Sequence, residues 1–231
     1  MPKITVNDIA IYYEIHGEGQ PLLLIAGLGT DLTLYEPITR ELSKKYRVIV
    51  FDNRGVGRTD KPDIPYSIER MAGDTAGLLE ALHLDSVHVL GISMGGRIAM
   101  ALTLQYPRLV KSLVLTSTAA SLRNSRSLLR MKLLGLIPLR RLRKYPQPYY
   151  AYKRQLIASR SYDCTGRLGE IGVPALILCG TRDKLVSRAM AEELNSGIRG
   201  SKMITFDGGH MFFMFRQEAY VSAILEFLAT V

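Results

Sequence analysis

"VLGISMGGRIA", residues 89–99, places Ser93 between glycines at the junction of two patterns. Ahead of it, "VHVLGI" (87–92) is apolar and β-branched, which reads as a strand. Behind it, "GRIAMALTLQYP" has helical character. A serine at a tight strand-to-helix turn has its hydroxyl lifted to the helix N-terminus, where backbone N–H groups point outward. Gly91, Gly95 and Gly96 would permit the sharp turn and close helix–strand packing. The plain alternative is a glycine-rich turn with an idle serine. Partners elsewhere in the chain decide between the two.

Working outward, "KITV" and "IAIYYEI" alternate and flank Asn7-Asp8, as in an antiparallel hairpin. "PLLLIA" (21–26), "YRVIVFD" (46–52), "VKSLVLTS", "PALILCG" (174–180) and "KMITF" (202–206) read as further strands. The continuous apolar runs among them suit central strands buried on both faces. Between them lie helical patterns: "YEPITRELSKK", "SIERMAGDTAGLLEALHL" (67–84) with Ser67 as N-cap, a helix near Arg188–Asn195, and "QEAYVSAILEFLA" (217–229). A hairpin followed by alternating strands and helices predicts a doubly wound α/β sheet, mostly parallel, with an antiparallel N-terminal edge. Residues 121–167 interrupt the alternation. They read as a short cap inserted into a core made of 1–120 and 168–231, at the strand edge where such sheets bind ligands.

A chain of 231 residues suffices for one large core, and 47% hydrophobic with 22% charged residues is ordinary globular composition. "MPKITVNDIAIYYEIHG" has no signal-peptide pattern, and "LLLIAGLG" is too short to span a membrane. Cys164 and Cys179 form neither a disulfide framework nor a zinc-type spacing, so a cytoplasmic setting without metal or cofactor is expected. The net charge of +9 is unevenly placed: Ser121–Tyr162 holds 11 Lys or Arg and no Asp or Glu, leaving the remainder at net −2. The excess belongs to one segment, and no helix-turn-helix, RNP-like or zinc-finger pattern appears, so no nucleic-acid partner is expected.

A nucleophilic serine needs a histidine base, and the histidine needs an acid to orient it. His16 leaves the hairpin, and His83 and His88 flank the entry to the nucleophile strand, at the opposite edge. His210, in "FDGGHMFF", follows the last strand at the same edge as Ser93. Asp183, in "LILCGTRDKLV", follows the strand before it. Asp207 is the rival acid, but it is three residues from His210 on one short loop and suits support of that loop better. The expected set is therefore Ser93, Asp183 and His210. An oxyanion needs donors as well. The Met94 N–H, just after the nucleophile, is one. The Leu28 N–H, within "GLGTD" after strand "PLLLIA", is the other.

With these parts placed, the chain resembles the α/β-hydrolase superfamily through "GISMG" (91–95), "FDNRGVGRTDKP" (51–62), "VPALILCGTRDKLV" (173–186) and "GGH" (208–210). "AGLGTDLTLYEP" and "GISMGG" look like the branch of 3-oxoadipate enol-lactonases and small carboxylesterases. The resemblance implies a Ser-His-Asp hydrolase cleaving a small-molecule ester or lactone through an acyl-enzyme. Two features depart from it: Ala26-Gly27 replaces a common His-Gly pair, and the cap insertion is short. Two alternatives stand beside it. One is a C–C hydrolase or lyase like the menaquinone-pathway synthase, which shares "SMGGR" and handles anionic substrates. The other is a non-catalytic ligand receptor. The basic cap has three readings: a solvated face, a positive mouth attracting anionic substrates, or transient contact with an anionic membrane. Arg97 reads as a helix-surface arginine, with carboxylate binding as the alternative.

Overall fold

Uninterrupted Val, Ile and Leu runs have no face to offer water, and they form the centre of the sheet. The computed structural model describes residues 3–122 and 144–231. Strands β3 (Pro21–Ile25), β4 (Arg47–Phe51), β5 (Val87–Ile92), β6 (Val110–Thr116), β7 (Ala175–Gly180) and β8 (Lys202–Phe206) run parallel. β1 (Lys3–Val6) and β2 (Ile9–His16) form the antiparallel edge, and Asn7 takes the left-handed conformation (φ 51°) at their turn. The order is β1-β2-β4-β3-β5-β6-β7-β8. The sequence order reverses around β3, so chain direction and strand position part company at the sheet centre. In such sheets that reversal opens a crevice at the strand C-termini.

Helices cover both faces. On one side lie α2 (Ile68–Ala81), α3 (Met94–Gln105) and α5 (Arg188–Gly197). On the other lie α1 (Glu36–Leu42), α6 (Phe212–Phe215) and α7 (Gln217–Leu228). Ser67 does cap α2, its Oγ accepting from Arg70 N at 3.0 Å. The sheet and its antiparallel edge match the sequence reading, with strand ends trimmed by a residue or so. Several short elements escaped it, among them one helix and the first 3-10 turn. α6 is a single turn, held by Phe212 stacked on Phe206 with centroids 4.8 Å apart, and is too short to show a period. A 3-10 turn at Leu32–Tyr35 is capped by Asp31.

Part of the expected cap is described. α4 (Tyr149–Ser161) lies across the loops that follow β3 and β4. Tyr150 Oη donates to Lys61 O at 2.7 Å, and Arg154 pairs with Asp63 at 2.5 Å. Arg58 is sandwiched between the Tyr12 and Tyr145 rings, 3.5 and 4.5 Å from their centroids. Most of the remaining basic residues, Arg140, Arg141 and Arg143 among them, lie outside the described residues. Among the described residues no helix is long and apolar enough to cross a membrane.

An ion network built on the buried Arg54 and Asp74 and reaching the half-exposed Asp8 anchors the β1–β2 turn. Arg54 donates from Nε and Nη2 to Asp74 at 2.7 and 2.8 Å, and from Nη1 and Nη2 to Asp8 at 3.0 and 2.6 Å. The guanidinium holds the Asp8 carboxyl below its ordinary value.

Candidate active site

Ser93 sits between β5 and α3 with φ 56° and ψ −113°, a conformation a non-glycine residue adopts only at a cost of about 1–3 kcal/mol. The surrounding structure fixes it there. Ser93 N donates to Thr116 O at 2.9 Å, and Ser93 O accepts from Thr118 Oγ1 at 2.7 Å. A Cβ on Gly95 would stand 2.0 Å from Ile25 O, so only glycine lets α3 start this close to β3. α3 accordingly begins at Met94, two residues earlier than "GRIAMALTLQYP" suggested.

The three expected side chains meet. His210 Nε2 lies 3.0 Å from Ser93 Oγ, and His210 Nδ1 lies 2.7 Å from Asp183 Oδ2. The other Asp183 oxygen accepts from Leu185 N at 2.8 Å and Val186 N at 3.0 Å. The carboxylate is therefore fixed in orientation as well as place, and its side chain is fully buried. Nδ1 facing a carboxylate carries the proton, which leaves Nε2 as an acceptor toward the serine hydroxyl. Two further contacts align the loops. Gly180 lets the β7 and β8 loops touch, since a Cβ there would lie 2.5 Å from Gly209 O. Ser117 Oγ donates to His210 O at 2.9 Å.

Asp207 stands apart from this group. It is exposed and pairs with Arg182 at 2.9 Å and Arg216 at 3.8 Å. The other histidines are elsewhere. His16 bonds Glu14 at 3.0 Å, and His83 is exposed after α2. His88 is buried between Ser112 and Gln20 at 2.8 and 3.0 Å. Burial, and then the Lys111 charge, push the His88 pKa down to about 4.

The loop after β3 passes beside the serine: a Cβ on Gly27 would lie 3.5 Å from Ser93 Cβ. Its N–H groups are mostly taken. Gly27 N donates to Tyr35 Oη at 3.0 Å, Gly29 N to Gln155 Oε1 at 3.0 Å and Thr30 N to Gly27 O at 3.3 Å. Among the described residues, Leu28 N alone in this run donates to no protein acceptor. Met94 N, first in α3, has no intrahelical acceptor either. Two donors beside one nucleophile suit an oxygen on which negative charge develops. Gln155, on α4, is fully buried, accepts also from Gln147 Nε2 at 3.0 Å and donates to Arg54 O at 2.7 Å. Sequence reading missed Gln155, Tyr35 and Ser117. Nothing local marks Gln155 or Ser117, because Gln155 meets Gly29 across 126 residues and Ser117 meets His210 across 93, whereas Tyr35 is only eight residues from Gly27 and lies within the quoted "AGLGTDLTLYEP".

Arg97 needs a correction. It is not a helix-surface arginine: it is 2% exposed, and Nη1 donates to Ser159 Oγ at 2.7 Å. The inserted α4 covers a face of α3 that the local pattern leaves open. No group of three or more potential metal ligands occurs among the described residues.

The comparisons agree with this architecture. The model of the alpha/beta hydrolase fold family matches residues 20–162. A protein of Azorhizobium caulinodans that carries the provisional name carbamate hydrolase RutD is 30% identical over 261 residues, covering 98% of each chain. A poly(3-hydroxyalkanoate) depolymerase of Ectopseudomonas oleovorans is 29% identical over 241 residues, 90% of this chain and 84% of that one. Among solved structures, the enol-lactonase from Burkholderia xenovorans LB400 superposes with a TM-score of 0.87 at 26% identity, covering 99% of this chain and 100% of the other. With a hydrolase sheet, a serine at its strand-to-helix turn and a family match over more than half its length, the chain belongs to the α/β-hydrolase fold family and is related to enol-lactonase-like hydrolases.

Proposed function

We propose that the protein is a serine hydrolase that cleaves a carboxylic ester or lactone through an acyl-enzyme. The observation that carries this reading is the continuous hydrogen-bonded line from Asp183 through His210 to Ser93, at 2.7 and 3.0 Å. Ser93 Oγ attacks the substrate carbonyl carbon while its proton passes to His210 Nε2. The carbonyl electron pair moves onto oxygen, where the Leu28 and Met94 N–H groups receive it. Collapse of the intermediate expels the leaving oxygen, which takes the proton back from Nε2. Water then repeats the sequence on the acyl-serine and frees the acid. Asp183 keeps the Nδ1–H tautomer and stabilises the transient imidazolium.

Carbamate cleavage is a second reading, favoured by the name of the relative 30% identical across 98% of both chains. A fluorophosphonate probe and a panel of 4-nitrophenyl butyrate, a γ-lactone and an N-alkyl carbamate test both. We expect one adduct per chain, on Ser93, and turnover of the ester or lactone. Carbamate turnover exceeding both by 100-fold or more would move the assignment to the second reading. No adduct and no turnover would leave a ligand receptor.

Gln155 offers a separate check on the oxyanion loop. Its Oε1 holds Gly29 N, directly after Leu28. Removing an oxyanion donor outright costs on the order of 100- to 1000-fold in turnover. Gln155→Leu loosens a donor without deleting it, so we expect kcat to fall about 10-fold with KM within about 2-fold. Steady-state kinetics with 4-nitrophenyl butyrate measures both. An unchanged kcat would separate Gln155 from the reaction.

A further inference from the structure

α4 packs on the core with one face and shows the other to solvent. Tyr152, Gln155, Leu156 and Ser159 are buried on the inner face. Tyr149, Tyr150, Lys153 and Ile157 are exposed, with Arg160 half-buried beside them. Residues 149, 153 and 157 recur every four positions and form one stripe, and Tyr150 and Arg160 each lie three residues from a member of it.

The outward stripe of a surface helix is ordinarily polar, and this one is not. Six large hydrophobic side chains are exposed among the described residues, and three of them, Tyr149 (57%), Tyr150 (38%) and Ile157 (51%), share this stripe. The other three, Ile15, Ile204 and Phe215, stand singly on β2, β8 and α6. Single exposed apolar residues are ordinary surface, whereas a cluster with a polar rim marks a contact.

Charge selects the partner. α4 contains no acidic residue, and Ser121–Tyr162 as a whole holds 11 Lys or Arg and no Asp or Glu. Arg154 pairs with Asp63, while Lys153 and Arg160 form no ion pair among the described residues. A second copy of the chain would bring like charges face to face. A nucleic acid would suit the cations and the tyrosine rings, but it leaves the aliphatic Ile157 in water. A lipid surface with anionic headgroups suits all of them. The basic side chains reach the phosphates, the tyrosine rings sit at headgroup level and the isoleucine enters the acyl boundary.

We propose that the outer stripe of α4 docks on an anionic lipid surface. The helix lies along that surface, since no described helix is long and apolar enough to cross a membrane. Gln155, on its inner face, grips the loop that passes beside Ser93. A helix with its side chains is about 10 Å across, so docking brings this loop to about that distance from the lipid.

The chain has no tryptophan, so Ile157→Trp installs a single reporter. Vesicles of phosphatidylglycerol and phosphatidylcholine in equal parts shift its emission to shorter wavelength, and brominated acyl chains quench it. Vesicles of phosphatidylcholine alone do neither. Ile204→Trp, on the edge strand β8, is unchanged by both. Wild-type protein floats with the anionic vesicles on a density gradient and is released in 1 M NaCl, where the Debye length falls to about 3 Å. A basic residue near such a surface contributes about 5-fold to binding, so reversing two of them, Lys153→Glu with Arg160→Glu, weakens vesicle binding roughly 20-fold or more. Ile157→Gln weakens it about 5-fold, through apolar surface that stays in water. The proposal is overturned if the wild type fails to float at low salt. It is overturned also if the folded double reversal and Ile157→Gln float as the wild type does, because the contact then lies elsewhere on the chain. Binding of a labelled RNA oligonucleotide without binding of vesicles overturns it in favour of a nucleic acid. Should the double reversal not fold, the shift and quenching of Ile157→Trp decide: their absence overturns the proposal. None of these readouts uses turnover, so the serine-hydrolase reading is tested apart from them.

Discussion

We expect Ser93→Ala to abolish the proposed ester turnover and to leave the fold intact. The hydroxyl is the only group lost, and its partner is His210 Nε2 at 3.0 Å. Alanine keeps the Cβ, so the left-handed backbone at φ 56° is no more strained than before. The turn is held by main-chain atoms and by Thr118, none of which the substitution touches. In serine hydrolases the nucleophile, base and acid act as a unit, and losing the nucleophile costs on the order of a million-fold in turnover. Initial rates with 4-nitrophenyl butyrate and thermal melting of the purified variant measure the two halves of this expectation. A folded Ser93→Ala protein that turned over ester at the wild-type rate would sink the nucleophile assignment.

Asp183→Asn should be nearly as damaging, for a reason that lies in hydrogen-bond polarity. One oxygen of Asp183 accepts from Leu185 N and Val186 N. An asparagine at this place keeps its single carbonyl oxygen on those two donors and turns its amide N–H₂ toward His210. Nδ1 must then accept, the proton moves to Nε2, and the imidazole presents a donor to Ser93 where a base is needed. The equivalent tautomer error in serine proteases costs about 10,000-fold in kcat, and a loss of that order is expected here. Asp207→Asn breaks only the exposed pairs with Arg182 and Arg216. Such pairs contribute about 0–1 kcal/mol, and kcat should stay within a few-fold. Measured side by side, the two variants assign the acid. A collapse of kcat in Asp207→Asn at unchanged melting temperature, with Asp183→Asn active, would reverse the assignment.

The element order was legible because it is written in local periods. A strand such as "VHVLGI" is recognisable from its neighbours alone, and so is the 3.6-residue repeat of "SIERMAGDTAGLLEALHL". The four-residue α6 was not, since one turn has no repeat to read. Ser93, Asp183 and His210 were legible for a related reason. Each follows a recognisable strand, and parallel strands deliver their following loops to one edge of the sheet. The choice of Asp183 over Asp207 needed no more than this: Asp207 shares a short loop with His210 and cannot easily fold back onto the ring.

The sequence by itself thus determined the doubly wound sheet, its antiparallel edge, the serine turn and the three side chains of the candidate site. All follow from short-range pattern joined to one rule of parallel-sheet geometry. The tertiary structure alone decided which loop N–H groups are occupied and which arginine is buried. Among the described residues Leu28 N is left open while Tyr35 and Gln155 take the donors on either side, and Gln155 arrives from 126 residues away. Arg97 is exposed or enclosed depending on where α4 packs, and Ser159, its contact, is 62 residues distant. Burial and hydrogen-bond satisfaction are sums over everything that surrounds an atom in space. The chain records only what surrounds it along the backbone, so a residue whose neighbours come from an inserted helix carries no local sign of its environment.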